Sequence, residues 1–454
     1  MMRMIRITTP LVAAALCVIG AAAMAPAASA AAAPSDCAWP VETTPTTSNV
    51  FYPDSNSTYW TTPYRATSGT RIYLRGKYPS ARFFSITAYD NSTQPYSVRG
   101  VSSSLTDYEI APSSGSNPWS PASSATASGR YEITLRSLTS SGGVTGSLRN
   151  TLPILPAKPV AGELPKGVGF LMVRAYLPPG LNFSTVPLPT ITIKQPGKAA
   201  VTLKRCAKRD TADYFRSTDL GKKLLKLLLG KIGPAPKPCP LGQTGCPPNL
   251  QFFVPAGGSN IPFPNVDSGY AAVFFQPQAG NVVVIKAKLP TSPYDYGAVK
   301  GESPVPWPRN DDARWQVRYW SFCNYVYQPP YPVVVASGTD GSTIYGCAAD
   351  LQTATPADGT ATVVVSFPAD RPSNATAANG ITWLPMSTSN PTAIEQVSLR
   401  NMLVRRGFKQ TPKSATGQSV SEAKSAMGPY YPQTATCTTI TVESGGPEAC
   451  FAAG

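Results

Sequence analysis

Apolar positions gather along this chain in runs too short for helices, with polar turn residues between them. RIYLRG (71–76), RFFSITAY (82–89), YEITL (131–135), TITI (190–193), VVVIKAK (282–288) and TVVVSF (362–367) are β-branched and aromatic, with Gly, Pro or Asn between them. Such segments read as strands, and many short strands with turn residues between them predict an all-β protein of antiparallel, jelly-roll-like sandwiches. Two stretches break the pattern. Near the start, Arg3 and Arg6 precede an apolar run at 11–23 and the small residues Ala28, Ser29 and Ala30. That order predicts a secretory signal peptide over 1–30. Midway lies GKKLLKLLLGKIG (221–233), where Leu220, Leu224, Leu225, Leu227, Leu228 and Leu229 cover an arc of about 200° at helical spacing. Ser217, Thr218 or Asp219 can cap its start, and Gly230 or Gly233 followed by Pro234 can stop it. This helix is expected to be an interdomain strut with its leucines buried, and Lys222, Lys223 and Lys226 offer at most weak contact with a membrane surface.

An internal comparison divides the rest. Residues 52–79 lie over 263–290 without a gap: Pro53 meets Pro264, Ser57 meets Ser268, Tyr59 meets Tyr270, Gly69 meets Gly280, and Lys77 meets Lys288. RFFSITAY then answers RYWSFCNY (318–325), Asp107 answers Asp350, and MVRAYLP (172–178) answers SLRNMLV (398–404). A repeat of this kind predicts tandem domains. The expected organisation is a first sandwich over 31–206, a helix and Pro-rich strap over 207–248, and a second sandwich over 249–454 with a long loop at 291–317.

Composition narrows the chemistry. The chain has no histidine, which excludes Ser-His-Asp and Cys-His triads and histidine-bound metals. Of nine cysteines, Cys17 falls in the leader, and the other eight point to four disulfides in an exported protein. Sequence alone leaves about 105 pairings open. Short loops favour Cys239–Cys246, Cys323–Cys347 and Cys437–Cys450, leaving Cys37–Cys206. Zinc would want a C-x-x-C spacing that is missing, so neither metal nor cofactor is expected. The formal charge is +15 with only 14% charged residues. That excess suits acidic surface polymers, and no basic cluster interleaved with aromatics suggests nucleic acid.

SGYAAVFFQP, RYWSFC, WLP, LRNML and MGPYYP (within 268–432) resemble a group of uncharacterised exported proteins of high-GC Gram-positive bacteria. The RYWS, WLP and LRNML run is more distantly similar to a bacterial domain of unknown function that occurs as paired β-sandwiches. The resemblance implies fold and export, and no reaction.

Residues kept in both copies point to the shared fold. Arg82 and Arg318, Asp107 and Asp350, and Arg174 and Arg400 are expected to form buried ion pairs, one set within each domain. The long loop exists in one copy only, so it is the candidate site. Tyr294, Tyr296, Trp307 and Trp315 offer platforms for sugar faces, and Asp295, Glu302, Asp311 and Asp312 are candidate acid–base groups. In the first copy Asp90, Asp107 and Glu109 were within reach of the same cleft if the domains lie side by side. The run Asn310, Asp311, Asp312 lacks the spacing of a calcium loop. The expected function is binding of acidic or neutral surface polysaccharide by a secreted or wall-associated monomer. The alternative is a carboxylate-dependent glycan or amide hydrolase.

Overall fold

The computed structural model describes residues 37–120, 129–138, 148–154, 164, 167–207, 211–231, 236–255, 262–293, 307, 315–338 and 340–452. The expected signal segment, 1–30, and Cys17 lie outside them. In the first half the sandwich strands are β1 (Val41–Thr43), β2 (Ser57–Arg65), β3 (Arg71–Lys77), β4 (Phe83–Tyr89), β5 (Ser104–Thr106), β6 (Arg130–Ser137), β7 (Thr151–Ile154), β8 (Val168–Tyr176) and β9 (Thr190–Lys194). In the second half they are β10 (Ser268–Phe275), β11 (Asn281–Lys288), β12 (Val317–Val326), β13 (Cys347–Ala349), β14 (Thr360–Ser366), β15 (Ile381–Pro385), β16 (Glu395–Val404) and β17 (Gln433–Thr438). The protein is an all-β fold of packed sheets.

Each half has one sheet facing the other half and one facing out. The inner sheets run β1-β2-β8-β4-β5 and β10-β16-β12-β13, and the outer sheets contain β7-β6-β3-β9 and β15-β14-β11-β17. Apart from β1, each of the strands named above has a counterpart at the same place in the other half. Within these four sheets pairing is antiparallel except at β6–β7 and β14–β15, which are parallel. The connections 138–150 and 367–380 are long enough to make those crossovers.

Burial explains why the inner strands resist a period-two reading. β3, in an outer sheet, alternates between buried and accessible positions, whereas every residue of β4, β8 and β12 is buried. On β4, Phe84, Ile86 and Ala88 fill the core of their own half, and Phe83 packs with Tyr319 and Met402 of the other half. Likewise Trp320 and Phe322 of β12 enter the second half's core, while Tyr319 faces the first half. A strand covered on both faces loses its polar alternation. Residues 34–454 accordingly form one compact unit, with the two sandwiches packed inner sheet to inner sheet rather than strung as separate domains.

Helix α1 (Thr211–Ser217) leads into α2 (Asp219–Lys231), the Leu-Lys stretch. The Thr218 hydroxyl accepts from Gly221 N at 2.9 Å. Gly221 is required there: a Cβ would come within 2.1 Å of the Tyr214 carbonyl oxygen. Leu224 and Leu228 are buried against Phe170 and Met172 of β8, and Lys222, Lys223 and Lys226 are exposed. Of the six leucines expected to be covered, only these two are fully enclosed. Disulfides join Cys37–Cys206, Cys239–Cys246, Cys323–Cys347 and Cys437–Cys450. The third and fourth tie β12 to β13 and β17 to the C-terminal helix Glu448–Ala452. No helix among the described residues is long and apolar enough to cross a membrane.

Candidate ligand cavity between the two halves

Alternate residues of the central strands β8 and β16 face across the molecule, and that register places an arginine on each. Arg174 stands opposite Tyr59 of β2, and Arg400 opposite Tyr270 of β10. Arg174 lies 5.5 Å from the ring centroids of both Tyr59 and Tyr89. Arg400 lies 5.3 Å from Tyr270 and 5.9 Å from Tyr176. Aromatic faces are favourable neighbours for a desolvated guanidinium.

Between these arginines and α2 is a cavity of about 460 Å³. Phe170 and Met172 of β8, Phe274 of β10, Tyr325 of β12, and Leu224 and Leu228 of α2 make its wall mainly apolar. Among the described residues its polar groups are few: the two arginines, Asn265, Gln396, Ser398, Thr43, Thr61 and tyrosine hydroxyls. An apolar pocket of a few hundred Å³ with a few convergent polar groups is the usual form of a small-molecule site. Burial pushes Tyr89, Tyr176 and Tyr325 up from the ordinary phenol range, so these hydroxyls stay protonated and are not bases at neutral pH.

The charges repeated in both halves do form buried pairs, but across the halves. Arg318 Nη1 donates to both oxygens of Asp107, at 2.6 and 2.5 Å. Arg82 Nη1 pairs with Asp350, and Arg400 Nη1 with Asp54 at 2.6 Å. The expected pairing within each domain is therefore corrected: these side chains sit on the inner-sheet faces, where the nearest opposite charge belongs to the other half. Arg174 differs again, with its hydrogen bonds going to Tyr89 Oη, the Phe263 carbonyl oxygen and Thr87 Oγ1. Burial pushes the Asp107 carboxyl up to about 6, opposed by Arg318 and by the N–H groups of Phe84 and Tyr108, which leaves it ionised at neutral pH.

Of the expected loop residues, Tyr294, Tyr296, Asp295, Glu302, Asp311 and Asp312 lie outside the described residues. Trp307 and Trp315 are buried rather than presented as open platforms. Trp307 stacks 5.2 Å from the Arg318 guanidinium, and its backbone N–H donates to the Trp119 carbonyl at 3.0 Å. In the first half Asp107 is sealed by Arg318, and Asp90 closes its own turn onto Ser92 and Gln94. Asp54, Cys323 and Cys347 lie close enough to suggest a metal site, yet both cysteines are in a disulfide and Asp54 is held by Arg400, Tyr319 and Ser321. Sequence reading missed Asp54, Asn265 and Phe263. The aligned repeat did carry a signal, because Asp54 and Asn56 stand over Asn265 and Asp267, with acid and amide exchanged.

No family model matches this chain, and no curated protein matches it. Among solved structures it is similar to an uncharacterised protein from Burkholderia cenocepacia, with TM-score 0.44 and 12% identity over 90% of this chain and 84% of that one. It is also similar to a Vibrio parahaemolyticus protein, with TM-score 0.40 and 10% identity over 85% and 90% of the two chains. Neither carries information about a ligand or a reaction.

Proposed function

We propose that this is an exported binding protein that encloses a small, largely apolar molecule between two sandwiches descended from one duplicated domain. Export is supported by the leader-like start and four disulfides, and duplication by the matched strand orders. The observation that carries the reading is the cavity: about 460 Å³ of mostly aromatic and aliphatic wall, lined on one side by the leucines of α2. Its buried tyrosines and arginines supply hydrogen bonds and no acid–base pair, which favours binding over hydrolysis.

The neutral dye Nile red tests it. It should bind the folded protein saturably at one per chain, and Met172→Trp, which fills the wall, should reduce that affinity severalfold. Absence of saturable binding to protein with a native circular dichroism spectrum would remove the reading. Surface polysaccharide remains a second reading on one observation, a more polar groove lined by Phe183, Tyr345 and Trp383 with Arg371 stacked 4.7 Å from the Trp383 ring. Retention on glycan resins that Trp383→Ala abolishes would favour it.

A further inference from the structure

We infer that the cavity's ligand is an apolar monoanion, a carboxylate on a hydrocarbon body, and that Arg174 holds its charged end. This rests on the cavity reading above and adds the ligand's charge and its recognition residue.

The argument comes from broken symmetry. Arg174 and Arg400 occupy matched positions on β8 and β16, both are at most 5% exposed, and both line the cavity. Arg400 is neutralised inside the protein, because Asp54 accepts from it at 2.6 Å. The residue that stands over Asp54 in the repeat is Asn265, which carries no charge. Asp267, two residues on, turns both carboxylate oxygens to the Thr106 hydroxyl at 3.0 and 2.9 Å. Arg174 is thus left with neutral partners: Tyr89 Oη at 2.5 Å, the Phe263 carbonyl at 2.8 Å and Thr87 Oγ1 at 3.4 Å. Among the described residues no carboxylate lies within ion-pair distance of it.

Asp267 stands near enough to feel the charge of Arg174, but it turns to Thr106 and makes no ion pair with it. A buried guanidinium with no carboxylate in contact is disfavoured, and a carboxylate entering the cavity supplies the missing acceptor. One unpaired cation suits one negative charge better than two in an apolar space. Phe170, Met172, Leu224 and Leu228 then receive the hydrocarbon body.

Isothermal titration of the exported chain with dodecanoate and dodecanol separates the two claims. Dodecanoate should bind at least about tenfold more tightly than dodecanol. Asn265→Asp places an acid where the first half has Asp54 and keeps the oxygen that accepts from Asp267 N at 3.1 Å. That variant should bind acid and alcohol alike, as should Arg174→Gln, whose lost bonds to Tyr89 and Phe263 make Asn265→Asp the safer test of folded protein. Equal binding of the two ligands by the unmodified chain overturns the anion assignment and leaves the cavity reading in place. Binding of neither overturns both, and an acid preference that survives Asn265→Asp overturns the role of Arg174.

Discussion

Glu395 opens β16 fully buried, with no cation paired to it among the described residues. Asn324 Nδ2 donates to its Oε2 at 2.5 Å and Ser387 N to its Oε1 at 2.7 Å. These bonds favour the carboxylate, but desolvation outweighs them and pushes the carboxyl up to about 8. The folded state therefore keeps a proton that the unfolded chain releases near 4.5. The stabilising contribution is complete below that value, declines as pH rises from 4.5 to 8 by up to about 1.4 kcal/mol per unit, and is gone above 8. Glu395→Gln removes the titration, and its amide can meet the Asn324 Oδ1 that is buried without a partner. Denaturant unfolding at several pH values should show the unmodified protein losing stability between pH 5 and 8 relative to Glu395→Gln. Parallel curves would show that Glu395 does not titrate in this window.

At the scale of elements, α2 divides its labour by face. Leu224 and Leu228 are one turn apart and line the cavity, so Leu228→Ala should lower unfolding free energy by roughly 2–5 kcal/mol and speed release of a bound dye. The lysine face does neither: Lys222→Glu, Lys223→Glu and Lys226→Glu should each leave stability within about 0.5 kcal/mol and leave dye binding unchanged. Thermal melts and stopped-flow release measure both, and a lysine variant that matched Leu228→Ala would contradict the assignment. This helix was legible in the sequence because leucine spacing and a following Gly-Pro are local signals. The outer strands were legible for the same reason: one wet face preserves alternation, as RIYLRG shows. The inner strands gave their positions but not their partners, since complete burial erases the record of which face meets which half. Arg318 and Asp107 could be recognised as a buried ionic set, and nothing in their spacing says that they meet each other across the molecule. The cavity was illegible for a related reason. Its wall is assembled from β2, β8, β10, β12, β16 and α2, none of which looks like a site alone. The short C-terminal helices were also missed; Val420–Met427 has a capping box from Ser419 and Glu422 that was available to be read.

Over the whole molecule, the interface makes the two halves one thermodynamic object. Arg82–Asp350, Arg318–Asp107 and Arg400–Asp54 all cross it, and Phe83, Tyr176, Tyr319 and Met402 pack between them. Pulling the halves apart while both stay folded would expose this apolar cluster and strip paired charges of their partners, so partial unfolding has no inexpensive route. Calorimetry of the intact chain should show a single transition. Arg318→Ala strands a fully buried Asp107 and should move that whole transition down by the equivalent of about 3–5 kcal/mol. Arg75→Ala breaks a pair of similar length, 2.6 Å to Glu132, on the outer surface where water screens it; the change should stay within about 1 kcal/mol. Two resolved transitions, with Arg318→Ala shifting only one of them, would mean that the sandwiches fold as independent domains and that the cross-half pairs merely dock them.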